Sequence, residues 1–290
     1  MTGIKLAASP RSRIARLARL LQTVTGSYRF GIVRYARAAS LASTPSRNAA
    51  MLLDVLQHAE PSSESCFGAS ASGRVHETHS LERLLQAWPL QRRRVCAKQY
   101  VFRAGQARHA LYLVHAGFFK TAVVSEDGRE KITGFRMRGD LLGLDALDMP
   151  TYACDVMALD TGELWELPYT RLRDELPQFQ ERVTALLASE IRRDWSWMLT
   201  LGTLGADQRV VTFLFDLASR LEQLGFSPNR LQLRMTRAEL GNFLSLTLET
   251  VTRVLSRLQA RGLIGVAGRE ICIKDRNGLQ TVLRDNTAYH

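Results

Sequence analysis

Four polar residues in the C-terminal third of the chain have the spacing of one helix face: Glu249, Thr252, Arg253 and Ser256. Residues three, four and seven positions apart lie on the same side of an α-helix. Arginine can donate two hydrogen bonds to guanine, glutamate can accept one from cytosine, and threonine can contact the methyl group of thymine. Glu249, Thr252 and Arg253 are therefore candidates for contacting DNA bases, although any solvated helix face can have this spacing.

The elements around this face favour a helix-turn-helix. The opposite side of the same helix repeats apolar residues that must face a core: Val251, Val254, Leu255 and Leu258. Thr247 can cap the N-terminus of this helix. A preceding helix is predicted to begin at Thr236, because Thr236 and Glu239 have the spacing of a capping box. The short Ser245-Leu246 segment predicts a tight turn between the two helices.

Two strands after the second helix complete a winged helix. Gly262 ends the helix, and residues 264–266 and 271–273 flank Ala267-Gly268-Arg269-Glu270 as a β-hairpin. Residues 205–276 contain eleven basic and seven acidic residues, an excess that favours contact with phosphates. We expect six further residues to contact the DNA backbone or to position the helices: Thr236, Arg237, Thr247, Thr250, Ser256 and Arg257.

A long helix is predicted from Phe179 to Thr203, because this segment contains no proline and has helical apolar periodicity. One line of residues is spaced alternately by three and four: Thr184, Leu187, Ile191, Asp194, Met198 and Leu201. That spacing is typical of the contact line of a coiled-coil dimer. A helix packed on its own β-domain explains the periodicity equally well. A shorter helix is predicted from Asp207 to Leu224.

Residues 90–168 have the pattern of many short strands, typical of a compact β-barrel or sandwich. Apolar runs are separated by turn signals at Ala116-Gly117, Glu126-Asp127-Gly128 and Asp160-Thr161-Gly162. The last of these is predicted to be a hairpin turn between strands at 156–159 and 164–167.

Composition excludes several classes of protein. The net charge of +11 comes mainly from residues 1–50, which contain nine basic and no acidic residues. This segment is interpreted as a disordered extension or misassigned upstream sequence, with a targeting segment or a nucleic-acid-binding arm as the alternatives. No stretch is long and uncharged enough to span a bilayer. Four cysteines without CxxC spacing, Cys66, Cys96, Cys154 and Cys272, fit a reducing compartment, and we expect a cytoplasmic protein.

The chain resembles the CRP/FNR family of transcription regulators, in particular its FNR branch. Residues 90–276 carry the resemblance, in the segments Ile132-Thr133-Gly134-Phe135, Gly139-Asp140-Leu141-Leu142-Gly143, Gly225-Phe226-Ser227-Pro228, Met235-Thr236-Arg237, Gly241-Asn242 and Glu249-Thr250-Val251-Thr252-Arg253. The resemblance implies a β-roll sensor, a dimerisation helix, a winged helix, binding to TTGAT-type palindromes and contact with RNA polymerase. The loop Ser125–Glu130 matches a polymerase-contacting loop of the family, with a plain hairpin turn as the alternative. Thr252 replaces the family's serine in the base-contacting pattern.

The cofactors of related proteins find little support in the sequence. Residues 139–170 contain seven acidic residues and no Lys or Arg, so a cyclic nucleotide would lack a counter-charge for its phosphate. The iron–sulfur relatives use four cysteines, whereas here the N-terminal region has only Cys66 and the fourth ligand position holds Trp165. Haem is possible but not expected; its candidate ligands are His58, His76, His79, His109 and His115.

Other candidate sites have simpler explanations. Cys154 and Cys272 are more simply buried small residues than redox-sensitive thiols. Four carboxylates could resemble a metal site but fit no known loop and are interpreted as solvated loop acids: Asp140, Asp145, Asp148 and Asp155. No nucleophile elbow, P-loop, HExxH or dinucleotide fingerprint is present, so we expect no enzyme.

The sequence thus predicts an α+β protein with five segments. They are a basic extension and linker at 1–75, a β-roll sensor at 76–177, a dimerisation helix at 178–204, a winged helix-turn-helix at 205–277 and a tail at 278–290. The predicted function is that of a homodimeric, DNA-binding regulator of genes for low-oxygen or redox-responsive metabolism, with double-stranded DNA and RNA polymerase as partners and no membrane association. The alternative is a ligand-binding β-roll regulatory protein whose DNA binding is secondary.

Overall fold

A computed structural model describes residues 81–85 and 88–284. The basic extension, Cys66, His58, His76, His79 and the last six residues lie outside the described residues. Residues 81–85 are helical. In the described part of the chain, no helix has the length and apolar character needed to cross a membrane.

Within the described residues, eight strands form the β-roll. They are β1 Gln91–Val95, β2 Tyr100–Phe102, β3 Leu111–Ala116, β4 Phe119–Val124, β5 Glu130–Arg136, β6 Leu141–Leu142, β7 Asp155–Ala158 and β8 Gly162–Leu167. One antiparallel sheet has the order β1-β8-β3-β6 and the other the order β2-β7-β4-β5. Apolar side chains from both sheets, such as Phe119, Val156 and Leu164, meet in a core between them. Burying each such side chain contributes about 1.5–3 kcal/mol to folding.

The predicted hairpin at Asp160-Thr161-Gly162 was wrong. β7 pairs with β2 and β4, whereas β8 pairs with β1 and β3, so this turn carries the chain from one sheet to the other. Gly162 is required here because a Cβ atom would lie 2.8 Å from the carbonyl oxygen of Ala116 and 2.9 Å from the ring of Phe119. Apolar patterning indicated both strands, but patterning alone does not show with which strands they pair.

The remaining elements are α1 Tyr169–Glu175, α2 Pro177–Thr203, α3 Ala206–Gln223, β9 Arg230–Gln232, α4 Arg237–Leu244, α5 Leu248–Ala260, β10 Ile264–Ala267, β11 Glu270–Ile273 and α6 Arg276–Arg284. Pro177 occupies the first turn of α2, where proline favours helix initiation. The 27 residues of α2 give it a length of about 40 Å, and it connects the β-roll to the C-terminal domain. β10, β11 and β9 form a three-stranded antiparallel sheet that contacts α3 and α5.

Part of the segment assigned as a C-terminal tail is helical. α6 begins before residue 278 and buries Leu279 and Val282 in the core of the C-terminal domain. The spacing of these two apolar residues by three positions was the available signal. That core also includes residues of β4 and β5, among them Ala122, Ile132 and Phe135, so the β-roll packs directly on the helix-turn-helix.

Candidate nucleic-acid interface

The helix α5 is strongly two-sided. Val251, Val254 and Leu258 are fully buried, whereas Glu249, Arg253 and Ser256 are exposed and Thr252 is half-exposed. Opposite faces of one helix therefore hold the core contacts and the predicted base-contacting residues, as the periodicity indicated.

Side-chain caps fix the N-terminal ends of both helices. The hydroxyl of Thr236 accepts a hydrogen bond from the Glu239 N–H at 3.1 Å, and the Glu239 carboxylate accepts one from the Thr236 N–H at 2.8 Å. The predicted capping box is thus confirmed. Thr247 caps α5 by accepting a hydrogen bond from the Thr250 N–H at 3.1 Å. Between the helices, Gly241 allows the turn to approach closely, since a Cβ there would lie 2.7 Å from the Leu246 carbonyl oxygen.

The electrostatics of the exposed face suit hydrogen bonding to bases. The pKa of Glu249 is lowered by its own backbone N–H, by a hydrogen bond from Thr247 and by the charge of Arg253, so the carboxylate is an ionised acceptor at neutral pH. One guanidinium nitrogen of Arg253 lies 3.5 Å from the Thr250 hydroxyl. A contact of this length is weak, and Arg253 can leave it for a better acceptor.

The predicted backbone contacts and positioning residues fall into two groups. The first group lies at helix starts or along the exposed face of α5 and consists of Thr236, Thr247, Thr250, Ser256 and the half-buried Arg237. Arg257 instead makes a paired contact with Asp207 of α3, with 3.0 Å between its Nε and the carboxylate. A phosphate would have to compete with Asp207 for this guanidinium. The periodicity of α5 gave no sign of the pairing, because Asp207 lies on another helix.

The wing, formed by β10, β11 and their turn, adds one basic residue, Arg269, that the sequence analysis did not select as a DNA contact. A cleft between the wing and the start of α4 is lined by Thr236, Arg237 and Arg269. Arg269 is exposed, and its guanidinium lies 3.4 Å from the Arg234 carbonyl oxygen. The basic hairpin residue at 269 was the only available signal for this extension of the positive surface.

The predicted dimer contact line of α2 lies away from the side chains that pack on the same chain. α2 buries Val183, Leu186 and Trp197, whereas Met198 is 67% exposed. The other members of the line are exposed or half-buried: Thr184, Leu187, Ile191, Asp194 and Leu201. Trp195 and Leu199, which the sequence analysis did not select, are also exposed. Intramolecular packing therefore uses one stripe of α2, and a second apolar stripe faces outward.

Aromatic rings fill the interior of the β-roll. The ring of Phe102 stacks on Tyr152 with 3.7 Å between centroids and on Tyr112 with 5.8 Å. The Tyr152 hydroxyl donates a hydrogen bond to the Ala110 carbonyl oxygen at 2.7 Å. Burial raises the pKa of the neighbouring Cys154 thiol, and Asp145 raises it further, which makes this thiol a poor nucleophile.

The other candidate ligands are dispersed. Trp165 is buried and stacks on His115 with 4.8 Å between centroids, while His109 is exposed. Cys96 is exposed and Cys272 half-buried. Asp140 is not a solvated loop acid, because it is buried and paired with Arg220. Among residues 81–85 and 88–284, no group of three or more His, Cys, Asp or Glu side chains could hold a metal ion.

The architecture and the surface of α5 define a class of protein. Residues 208–282 match the family described as a Crp-like helix-turn-helix domain, and residues 92–178 match the cyclic nucleotide-binding domain. A β-roll joined through a long helix to a winged helix-turn-helix is the architecture of a DNA-binding transcription regulator, and the predicted fold class is confirmed.

Curated relatives specify the family. The chain is 37% identical over 184 residues to the anaerobic regulatory protein of Haemophilus influenzae, covering 62% of this chain and 72% of the relative. It is 39% identical over 180 residues to the transcriptional activator protein Anr of Pseudomonas aeruginosa, covering 61% and 74%. The structure of FixK2 from Bradyrhizobium japonicum matches with a TM-score of 0.61 and 27% identity over 67% of this chain and 96% of that one. The chain belongs to the CRP/FNR family of transcription regulators, and since these relatives are regulators, the expectation that it is not an enzyme is confirmed.

Proposed function

We propose that this protein is a cytoplasmic, homodimeric regulator that binds TTGAT-type palindromes and contacts RNA polymerase. The observation that carries the proposal is the exposed face of α5 formed by Glu249, Thr252 and Arg253. The outward apolar stripe of α2 supports a dimer, because two such stripes can pack as a short coiled coil. The names of the relatives, one an anaerobic regulatory protein and one a transcriptional activator, favour activation of genes for low-oxygen or redox-responsive metabolism.

The proposal is tested by measuring DNA affinity and stoichiometry together. Fluorescence anisotropy with a TTGAT palindrome and a scrambled duplex, at one salt concentration, should show binding at least about 10³-fold tighter to the palindrome. Sedimentation of the complex should give two chains per duplex. Equal affinity for both duplexes would contradict the proposal and favour a β-roll regulatory protein whose DNA binding is secondary.

We further propose that the β-roll binds no cyclic nucleotide, iron–sulfur cluster or haem. The residues do not fit a cyclic nucleotide: the stacked Phe102 and Tyr152 rings occupy the interior, and residues 139–170 contain no cation for the phosphate. The ring of Trp165 stands where the resemblance would require a cysteine ligand, and haem is not favoured by the placement of His109 and His115. Iron analysis and a visible absorption spectrum of protein purified without air test for a cluster or haem, whose bands would contradict the proposal. Calorimetric titration with a cyclic nucleotide tests the remaining part, and saturable binding would contradict it.

Replacing Asp194 with alanine should strengthen the dimer. Asp194 is exposed within the apolar stripe of α2, and two-fold symmetry would bring its two copies together. Repulsion of about 1 kcal/mol between the copies corresponds to a roughly fivefold lower dimer dissociation constant for Asp194→Ala. Sedimentation equilibrium measures this constant.

Asp194 also has a favourable interaction within its own chain, which opposes the repulsion between the two copies. Burial alone would lower the pKa of Arg136 on β5, but nearby carboxylates raise it, Glu190 most and Asp194 least. Asp194→Ala therefore also removes a charge that stabilises Arg136 within the chain. Asp174→Ala, on the exposed surface of α1, is the matched control. An unchanged or weaker Asp194→Ala dimer would show that an attractive contact, such as one with Arg192 of the second copy, outweighs the repulsion.

A further inference from the structure

The first helix of the helix-turn-helix is hydrogen-bonded to the edge of the sensor sheet. In the sheet order β2-β7-β4-β5, β5 is the last of the described strands. The carboxamide oxygen of Asn242 on α4 accepts a hydrogen bond from the Ile132 N–H at 2.7 Å, and its nitrogen donates one to the Glu130 carbonyl oxygen at 2.8 Å. A single side chain thus satisfies one donor and one acceptor of an edge strand, as a neighbouring strand would.

A lysine of the β-roll holds the C-terminal end of the same helix. Lys131 donates from its ammonium group to the Phe243 carbonyl oxygen at 3.1 Å and to the Ser245 hydroxyl at 2.9 Å, and it also contacts the Asn242 carbonyl oxygen. Carbonyl groups at a helix C-terminus lack helical partners and attract cations. Burial lowers the pKa of Lys131 and the charge of Arg209 lowers it further, as expected for an ammonium group enclosed at a domain contact.

A second lysine of the β-roll reaches the N-terminal end. The Lys120 ammonium lies 2.8 Å from Glu130 and 3.3 Å from Glu239. Burial alone would lower the pKa of Lys120, but the two carboxylates raise it above its ordinary value. Glu239 also closes the capping box of α4, so the N-terminal end and the C-terminal half of this eight-residue helix are both attached to the β4–β5 hairpin.

We propose that Asn242 and Lys131 are positioning residues, which fix the angle of the recognition helix α5 relative to the β-roll by attaching α4 to β5. Neither residue lies on the exposed face of α5, so their effect on DNA recognition is indirect. α4 and α5 share a core through Leu240, Leu244 and Val251, and an attached α4 therefore orients α5. This inference rests on the proposed DNA-binding function, because in a dimer two such attachments would set the relative angle of two recognition helices.

The spacing of the half-sites measures that angle. One extra base pair in the centre of a palindrome rotates one half-site against the other by roughly 35° and moves it by about 3.4 Å. Firmly attached helix-turn-helix units should discriminate against the lengthened site, whereas loosened units should tolerate it. We expect Asn242→Ala and Lys131→Met each to reduce the ratio of the two affinities by about tenfold relative to the wild type, mainly by weakening the correct site. Lys131→Met is the sharper variant, because it leaves the DNA-binding domain unaltered.

Hydrogen exchange tests the attachment without DNA. The Ile132 N–H points to Asn242, so its exchange reports how often α4 leaves β5. In the full chain, Lys131→Met should accelerate this exchange by about tenfold even though Asn242 is intact. Asn229→Ala and Lys98→Met are the matched controls. They make the same two substitutions, asparagine to alanine and lysine to methionine, at exposed positions.

The outcomes separate the two proposals. Unchanged Ile132 exchange in both variants would overturn the attachment, and faster exchange with unchanged spacing discrimination would overturn the positioning role. Faster exchange together with reduced discrimination between the two palindromes supports the positioning role. If the wild type showed no preference for the palindrome, the proposed function would fail, whereas the exchange result would still decide whether the attachment exists.

Discussion

Arg253→Ala is expected to weaken binding to the TTGAT palindrome by about 2–6 kcal/mol, because each half-site loses a bidentate base contact of roughly 1–3 kcal/mol and a symmetric dimer loses it twice. The side chain is exposed on the first turns of α5 beside the ionised Glu249. Its 3.5 Å contact with the Thr250 hydroxyl is weak and contributes little to folding. Titration of the palindrome by anisotropy measures the change.

Non-specific DNA separates base contact from phosphate contact. Affinity for a scrambled duplex should fall far less in Arg253→Ala, because phosphate contacts dominate that binding. Arg261→Ala is the matched control, since Arg261 is an exposed arginine at the C-terminal end of the same helix. If Arg253→Ala lowered both affinities by the same factor, Arg253 would be a backbone contact and the assigned base-contacting face would be wrong.

Arg220→Ala is expected to lower the free energy of unfolding by about 3–5 kcal/mol, because it removes one partner of a buried ion pair. The Arg220 guanidinium contacts the Asp140 carboxylate, and their side chains are only 9% and 8% exposed. It also donates a hydrogen bond to the Phe135 carbonyl oxygen at 3.0 Å. The variant would leave the Asp140 carboxylate buried without this cation. Urea unfolding followed by circular dichroism measures the loss.

Two further variants test whether the unpaired buried charge causes the loss of stability in Arg220→Ala. Arg220→Met combined with Asp140→Asn removes both charges but keeps a side-chain oxygen for the Met137 N–H, which Asp140 binds at 2.9 Å. This double variant should regain at least half of the unfolding free energy that Arg220→Ala loses. Arg171→Ala breaks an exposed pair with Glu175 and should cost less than about 1 kcal/mol. Equal losses in Arg171→Ala and Arg220→Ala would show that burial does not set the effect.

Local patterns predicted the elements but not the contacts between them. The apolar repeat from Val251 to Leu258 placed α5 and its exposed face correctly, because helical periodicity depends only on neighbouring residues. The pairing of Arg257 with Asp207 and of Asn242 with β5 joins residues 50 and about 110 positions apart, and no periodicity encodes such contacts. The wrong hairpin at Asp160-Thr161-Gly162 has the same origin, since strand partners are chosen by the tertiary fold.

The attachment of Asn242 to β5 also concerns solubility. An edge strand with unpaired N–H and C=O groups can add a strand from another molecule and start aggregation. Here the groups of Glu130 and Ile132 are occupied by a side chain of the same molecule, while Val123 and Val124 on the adjacent strand are 41% and 51% exposed. Each departure of α4 would uncover a β-strand edge next to apolar side chains. Variants that loosen this contact should therefore require lower protein concentrations to remain in solution.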